Sequence, residues 1–335
     1  MSTLLTLSPY GLYCPRGDFF IDPHRPRGVA FITHAHADHA RNGASLYYAH
    51  KDSLPFLSHR LGTHTPIIPL EYGERVERNG VLISLHPAGH ILGSAQIRIE
   101  QRGYVTVVTG DYKTTPDRTC VPFEQIECNH FITEATFALP IYHWQPDEVI
   151  FDQIRTWWRD NRLKKKTSLL YAYALGKAQR ILAGLLGEDA PIALHGAVLP
   201  YLTGYRNAGV TFPEIVKANA ENASLLRGEG LIIAPPSACN SPWTRKFAPF
   251  SQGFASGWMQ IRGKKRQRRG IEFGFVLSDH ADWNGLLTAI KNSRAETITT
   301  MHGEASALLR YLKESGKDAC SLPERFKNQM SGEDQ

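Results

Sequence analysis

The sequence predicts an α/β protein in which one domain is interrupted by another, and two observations carry that expectation. Near both ends of the chain, short apolar stretches run directly into residues that bind metals or move protons. Residues 29–33 lead into His34, 81–85 toward His90, 104–109 into Asp111, 131–133 into Glu134, 271–278 into His280 and 297–301 into His302, and strand ends are where α/β scaffolds place sites. In the middle, the texture changes to alternating helices and strands, the pattern of βαβ units around a small parallel sheet. The expected boundaries are 1–136 with 257–335 for the split domain and 137–256 for the insertion.

In chain order, 19–21 is an apolar strand ending at Asp22, and 45–49 and 81–85 are further strands. The stretch 95–100 alternates apolar and polar residues, as a half-buried strand does, and Gln101-Arg102-Gly103 forms a hairpin turn into 104–109. A helix over 146–163 is opened by Pro146 and an acidic first turn; Val149, Ile150, Ile154, Trp157 and Trp158 share its apolar face. Trp157 and Trp158 read as core rather than as a base-stacking platform. There follow a strand at 168–173, a helix at 176–186 and strands at 192–195 and 231–234. Beyond 271–278 come a helix at 283–291, a strand at 297–301 and a helix at 305–313, with Asp279, Asp282 and Glu304 expected as helix-start caps.

Length and composition exclude several classes. A chain of 335 residues with 42% hydrophobic and 21% charged content has ample core. No apolar run approaches the roughly 20 residues of a membrane span. The first nine residues lack the basic region and continuous apolar segment of a secretory leader, so the expectation is a cytoplasmic protein without a membrane partner. Cys14, Cys120, Cys128, Cys239 and Cys320 are odd in number and never in CxxC spacing, against a disulfide framework or a zinc ribbon. Arg262, Lys264, Lys265, Arg266, Arg268 and Arg269 account for the whole net charge of +6. So local a basic run suits a polyanion such as nucleic acid, or a solvated loop.

The stretch Thr33-His34-Ala35-His36-Ala37-Asp38-His39 sets three imidazoles and a carboxylate within six positions. His34 and His36 alternate and can converge on one ion, whereas Asp38 and His39 break the alternation and aim at a neighbouring point. His34, His36 and His90 suit one metal ion, Asp38, His39 and His302 a second, and Asp111 a bridge. Imidazole and carboxylate without thiolate suit Zn²⁺, with Mn²⁺ also fitting. Two such ions about 3.5–4 Å apart hold a bridging hydroxide and neutralise charge on a phosphoryl or acyl centre. Glu134 and His280 remain for proton transfer, Asp22 for orienting a ligand histidine, and Ser237, after Pro235-Pro236, for a terminal phosphate or a turn.

These residues carry a resemblance. The Thr33–His39 stretch with Asp22, His90 and Asp111 resembles the metallo-β-lactamase superfamily. Glu134, Ser278-Asp279-His280 and Met301-His302-Gly303-Glu304 resemble the further motifs of its β-CASP nucleic-acid branch, and Tyr173-Ala174-Leu175-Gly176-Lys177-Ala178-Gln179 resembles the inserted domain of that branch. More narrowly, Ile132-Thr133-Glu134-Ala135-Thr136-Phe137 with Ser278-Asp279-His280-Ala281-Asp282-Trp283 is similar to the bacterial DNA-ligase-associated exonucleases, relatives of the cross-link-repair nucleases and Artemis. The resemblance spans nearly the whole chain. It implies a metallo-β-lactamase αββα sandwich with an inserted β-CASP α/β domain, and a dinuclear site in the cleft between them. The implied activity is phosphodiester hydrolysis by metal-bound hydroxide, as a 5′ to 3′ DNA exonuclease in repair, with a DNA ligase or helicase as a pathway partner. His280, oriented by Glu134, is then the proton donor to the leaving 3′ oxygen, and Asp38 is essential for cleavage. Ser237, Lys264, Lys265, Arg266, Arg268 and Arg269 are expected on the nucleic acid. His302 stands where the eukaryotic DNA-acting members usually carry an apolar residue and is typical of RNA-processing members, so an endo- or 5′ exoribonuclease is the alternative.

Overall fold

The computed structural model describes residues 4–261 and 270–327. Two compact units emerge, one from both ends of the chain (Met1–His143 and His280–Gln335) and one from the middle (Trp144–Asp279). These divisions fall later than the textures at 136/137 and 256/257 suggest. The second shift comes from the strand Phe273–Phe275, which pairs with Phe250–Ala255 of the middle unit and so draws the returning chain into it.

The unit made from the two ends contains two sheets. The first takes Thr6–Ser8, Gly11–Cys14, Phe19–Ile21, Val29–Phe31, Leu46–His50 and Ile67–Leu70 in chain order. The second runs Asp318–Ser321, Thr297–Met301, His130–Glu134, Tyr104–Val108, Ala95–Gln101, Val81–Pro87 and Arg75–Arg78 across the sheet. Phe19, Ile21 and Phe31 from the first sheet pack with Ile83, Leu85, Ile97, Ile99, Val108 and Ile132 from the second in one core. The two-residue strand period then fixes the opposite face: Val107, Phe131 and Ile298 point away from that core, onto the helices Trp283–Asn292 and Ser306–Glu314 through Leu286, Ile290, Leu308 and Leu312. Asp282 caps the first of these helices by accepting from the Gly285 amide at 2.8 Å, as its position predicts.

Within the second sheet, Thr297–Met301, His130–Glu134 and Tyr104–Val108 lie side by side and parallel. Their C-terminal ends therefore point the same way, and whatever follows them gathers at one edge of the sandwich. The hairpin between Ala95–Gln101 and Tyr104–Val108 turns on Arg102 and Gly103, both with positive φ, where the sequence places it.

The middle unit is a six-stranded, wholly parallel sheet in the order Ile215–Lys217, Ile192–Leu194, Leu231–Ala234, Thr167–Tyr171, Phe250–Ala255, Phe273–Phe275. The helix Asp147–Leu163 buries Ile150, Ile154, Trp157 and Trp158 against one face. Both tryptophans are core, as read from their spacing. The helix expected over 176–186 is shorter, Lys177–Gly184, and the strand expected over 271–278 shrinks to Phe273–Phe275. The basic run Arg262–Arg269 lies outside the described residues. Among the described residues, no helix is long and apolar enough to cross a membrane.

His130 gives a handle on stability. It is fully buried, its Nε2 lies 2.8 Å from Thr299 Oγ1, and burial, with Arg325 nearby, holds its pKa down to about 4 from 6.5. A group whose folded pKa is depressed in this way stays neutral in the fold but takes up a proton on unfolding. Its contribution is intact above about pH 6.5 and lost as pH falls toward 4. Between pH 7 and 5 the loss of stability in denaturant titrations should be smaller in His130→Gln by about 2 kcal/mol; equal losses in both proteins would refute this.

Candidate metal centre

The site is assembled from strand ends of the first unit. After Val29–Phe31 the chain leaves the first sheet, and the Thr33 carbonyl accepts from the Ala95 amide of the second sheet at 2.8 Å, so the loop that follows sits where the two sheets meet. Asp22, also at a strand end, fixes that loop. Its Oδ1 accepts from the Thr33 amide at 2.8 Å, and its Oδ2 lies 2.5 Å from Thr33 Oγ1 and 2.7 Å from His39 Nδ1.

That last contact decides the chemistry of His39. With Nδ1–H given to Asp22, its Nε2 is left as the outward-facing nitrogen, buried and without a hydrogen-bond partner, 3.6 Å from Asp111 and 3.7 Å from Asp38. Asp22, read from sequence as a residue that orients a ligand histidine, is in contact with His39 and Thr33. Thr33 adds to it and was not singled out from sequence; its only signal there is a β-branched hydroxyl residue directly before His34.

Among the described residues, three groupings of donor atoms lie within 4.8 Å: His34, His36, His90 and Asp111; His39, Asp111 and His302; and Asp111, Glu134 and His280. Asp111 belongs to all three. In the first, His34 Nε2 and His90 Nε2 are each 3.1 Å from His36 Nδ1, and Asp111 Oδ2 is 3.6 Å and 3.7 Å from His34 and His90. Tetrahedral ligands at zinc bond lengths stand about 3.4 Å from one another, so these separations fit a single ion. In the second grouping His302 is exposed, with its ring 4.9 Å from that of His39. Asp38 belongs to none of the three groupings. Its side chain is 68% exposed and lies 3.7 Å from His39 Nε2.

Two glycines let these loops close. A Cβ on Gly110, which has positive φ, would meet Thr33 at 2.6 Å, and one on Gly303 would meet the Ala135 carbonyl oxygen at 2.2 Å. Any side chain at either position would push the Asp111 loop away from Thr33 or the His302 loop away from Ala135.

The electrostatics fit a cation. Burial and repulsion by His39, His90 and His36 hold the His34 imidazole well below its usual range. Burial would lower His39 too, but Asp22, Asp111 and Asp38 around it raise it to about 9. Burial raises the Asp111 carboxyl, although His280 and His39 oppose the shift. Closely set imidazoles and carboxylates thus divide protons unevenly among themselves. A divalent ion suits both needs, taking the lone pairs of neutral imidazoles and supplying positive charge to the carboxylate.

Beside this cluster, Glu134 is fully buried and accepts from the Tyr112 amide at 2.7 Å, while His280 Nδ1 lies 3.1 and 2.9 Å from its two oxygens. Burial pushes the Glu134 carboxyl up, but the charge and hydrogen bond of His280 bring it below its ordinary value. The His280 ring also lies 4.7 Å from that of His90.

The remaining sequence-predicted residues fall elsewhere. Ser237 is exposed on the short turn Pro236–Ala238 of the middle unit. Lys264, Lys265, Arg266, Arg268 and Arg269 lie outside the described residues. Asp279 is no helix cap: it is buried and ion-paired to Lys177 and to Arg180, which also holds Asp147. The signal for this network was present as two cations in the Gly176–Arg180 stretch, but their acid lies 102 positions from Lys177.

No family profile matches the chain. It is 28% identical, over 94% of its length, to a protein described as "Probable DNA ligase" from Opitutus terrae, of which it covers 31%. It is 27% identical, over 47% of its length, to "Endoribonuclease ysh-1" from Neurospora crassa, of which it covers 19%. The chain thus spans less than a third of the length of these curated relatives. A crystal structure of a protein of unknown function from Enterococcus faecalis V583 superposes with a TM-score of 0.56 at 11% identity, over 82% of this chain and 75% of that one. The fold is the metallo-β-lactamase sandwich with an inserted β-CASP α/β domain. Within that class, the chain resembles the β-CASP nucleases, and its similarity to the ligase-named protein runs through nearly all of it.

Asp22 offers a direct test. Asp22→Ala frees His39 to rotate and lose its tautomer, so affinity for Zn²⁺ in chelator competition should fall about 10–100-fold. Unchanged affinity would remove Asp22 from the site.

Proposed function

We propose that the protein is a metal-dependent phosphodiesterase, acting as a 5′ to 3′ exonuclease on DNA in repair. The observation that carries the proposal is the Glu134–His280 pair set against the imidazole cluster, a proton-transfer couple beside a charge-stabilising centre. His34, His36, His90 and Asp111 would hold one divalent ion, and His39, His302 and Asp111, with Asp38 beside them, a second, Zn²⁺ or Mn²⁺ by donor type. Such ions supply positive charge to a phosphoryl group and lower the pKa of water.

The chain's own residues do the rest. Asp22 and Thr33 hold His39 in one tautomer. Asp111 keeps the two ligand sets together. Glu134, fixed by the Tyr112 amide, accepts from His280 Nδ1 and favours the charged imidazole. The Nε2 proton of that imidazole passes to the 3′ oxygen as a water oxygen bonds to phosphorus, its own proton leaving to solvent, and the P–O3′ bond breaks, leaving a 5′ phosphate. Ser237 and the run from Lys264 to Arg269 are assigned to the phosphate backbone on chemistry alone.

DNA is favoured by the match over 94% of the chain to a protein named as a DNA ligase, which also makes a ligase the natural partner. RNA is the second reading, favoured by His302 and by the similarity to a protein named as an endoribonuclease. Digestion of 5′-phosphorylated, 5′-hydroxyl and circular DNA, beside RNA of the same sequence, separates them. Mononucleotide release from 5′-phosphorylated DNA alone is expected, and cleavage of RNA alone would overturn the DNA assignment.

The proton-donor role predicts a leaving-group dependence. His280→Ala should lower turnover of an oligonucleotide about 10²–10⁴-fold but lower hydrolysis of bis(p-nitrophenyl) phosphate far less, because nitrophenolate leaves without a proton. Equal losses on both substrates would show that His280 acts otherwise.

A further inference from the structure

A cavity of about 770 Å³ opens from the second ligand set, and the rest of its wall has no part in the proton and metal chemistry above. Asp38, His39 and His302 form one end of it; Leu12 and Leu309 wall it; Arg41 and Ser306 stand at its exposed margin. Its lining is mostly apolar, with concentrated positive charge close by. His24, which also lines the cavity, is followed by exposed Arg25 and Arg27, and the Arg27 guanidinium lies 4.5 Å over the ring of Tyr10. The Arg25 amide donates to the Tyr10 carbonyl, tying this basic loop to the hairpin beside Gly11, another lining residue. Glu304, a carboxylate on the lining, accepts from the Ser306 amide at 3.1 Å.

We infer that this groove seats one nucleotide of the single strand leading away from the scissile phosphate, its sugar and base on the apolar wall and its phosphate on Arg41. The inference rests on the phosphodiesterase reading and extends it to substrate form. Three features support it. The groove begins at groups assigned to the reacting phosphate, so it continues directly from the point where a strand would be cut. Its volume is that of pockets which enclose a small ligand, too confined for a duplex. An apolar wall beside arginines, with an exposed tyrosine on the neighbouring loop, is the combination that holds unpaired nucleotides without reading their sequence. An apolar groove built for a peptide would not need the cationic margin.

The test uses the metal-loaded protein, with Arg41→Ala to remove the phosphate contact and Ser306→Trp to fill the groove from an exposed position. Binding of a short single-stranded thymidylate with phosphorothioate links, which resist cleavage, is followed by fluorescence anisotropy over a salt series. Arg41→Ala should weaken binding about tenfold and reduce the salt slope by about 0.7. Ser306→Trp should weaken binding with the slope unchanged. Both variants should bind Zn²⁺ in chelator competition as the parent does, since neither residue belongs to a donor grouping. Unchanged affinity and slope in both variants overturn the groove assignment, as does weakening by Ser306→Trp alone, the result expected of a peptide groove. If the parent protein fails to hydrolyse bis(p-nitrophenyl) phosphate, the phosphodiesterase reading falls, while the binding series still decides the groove.

Discussion

The donor cluster in the unit built from the two ends of the chain depends on one buried carboxylate. Asp111 shares its donor groupings with six imidazoles and with Glu134, in a place where burial raises its carboxyl and neighbouring imidazoles pull it back. A buried group with several titratable neighbours is costly to leave without compensation. The cluster is therefore read as a binding site for cations, in which Asp111 is the member common to every grouping. The same requirement explains the rigid surroundings, since a bridging group serves two ligand sets only if both are held still. Asp22 and Thr33 hold one side of the cluster and the Tyr112 amide holds Glu134 on the other.

The sandwich topology supplies this placement economically. Three parallel strands lie side by side, and the register aligns Thr133 with Thr300 and Glu134 with Met301. Residues following those strands fall at one edge regardless of how far apart they stand in sequence. That is how His302, encoded beyond the whole middle unit, comes within ring contact of His39. Close backbone approach at Gly110 and Gly303 then lets adjacent loops share the edge.

Much of this was legible in the sequence because the site lies at strand ends, and strand ends are marked locally by apolar runs that stop. His34, His36, His39, His90, Asp111 and His302 come together in the fold from that grammar, and Trp157 and Trp158 are core from helical spacing alone. What was not legible depended on partners far away along the chain. Asp279 looked like a helix cap because caps are local, whereas its actual partners, Lys177 and Arg180, are brought to it by the parallel sheet and its crossover helix. The unit divide shifted for the same kind of reason: Phe273–Phe275 is apolar enough for either unit, and only its pairing with Phe250–Ala255 decides. The exposure of Asp38 likewise follows from a loop path that the alternating pattern of the motif does not specify.

The central claim is that residues from both ends of the chain form one cation-binding centre organised by Asp111. Anomalous diffraction from crystals grown with Zn²⁺, recorded on both sides of the zinc absorption edge, tests it most directly. Two peaks are predicted, both within ligand distance of Asp111, one also among His34, His36 and His90 and the other beside His39 and His302. Peaks that avoid Asp111, or none within the cluster, would contradict the account.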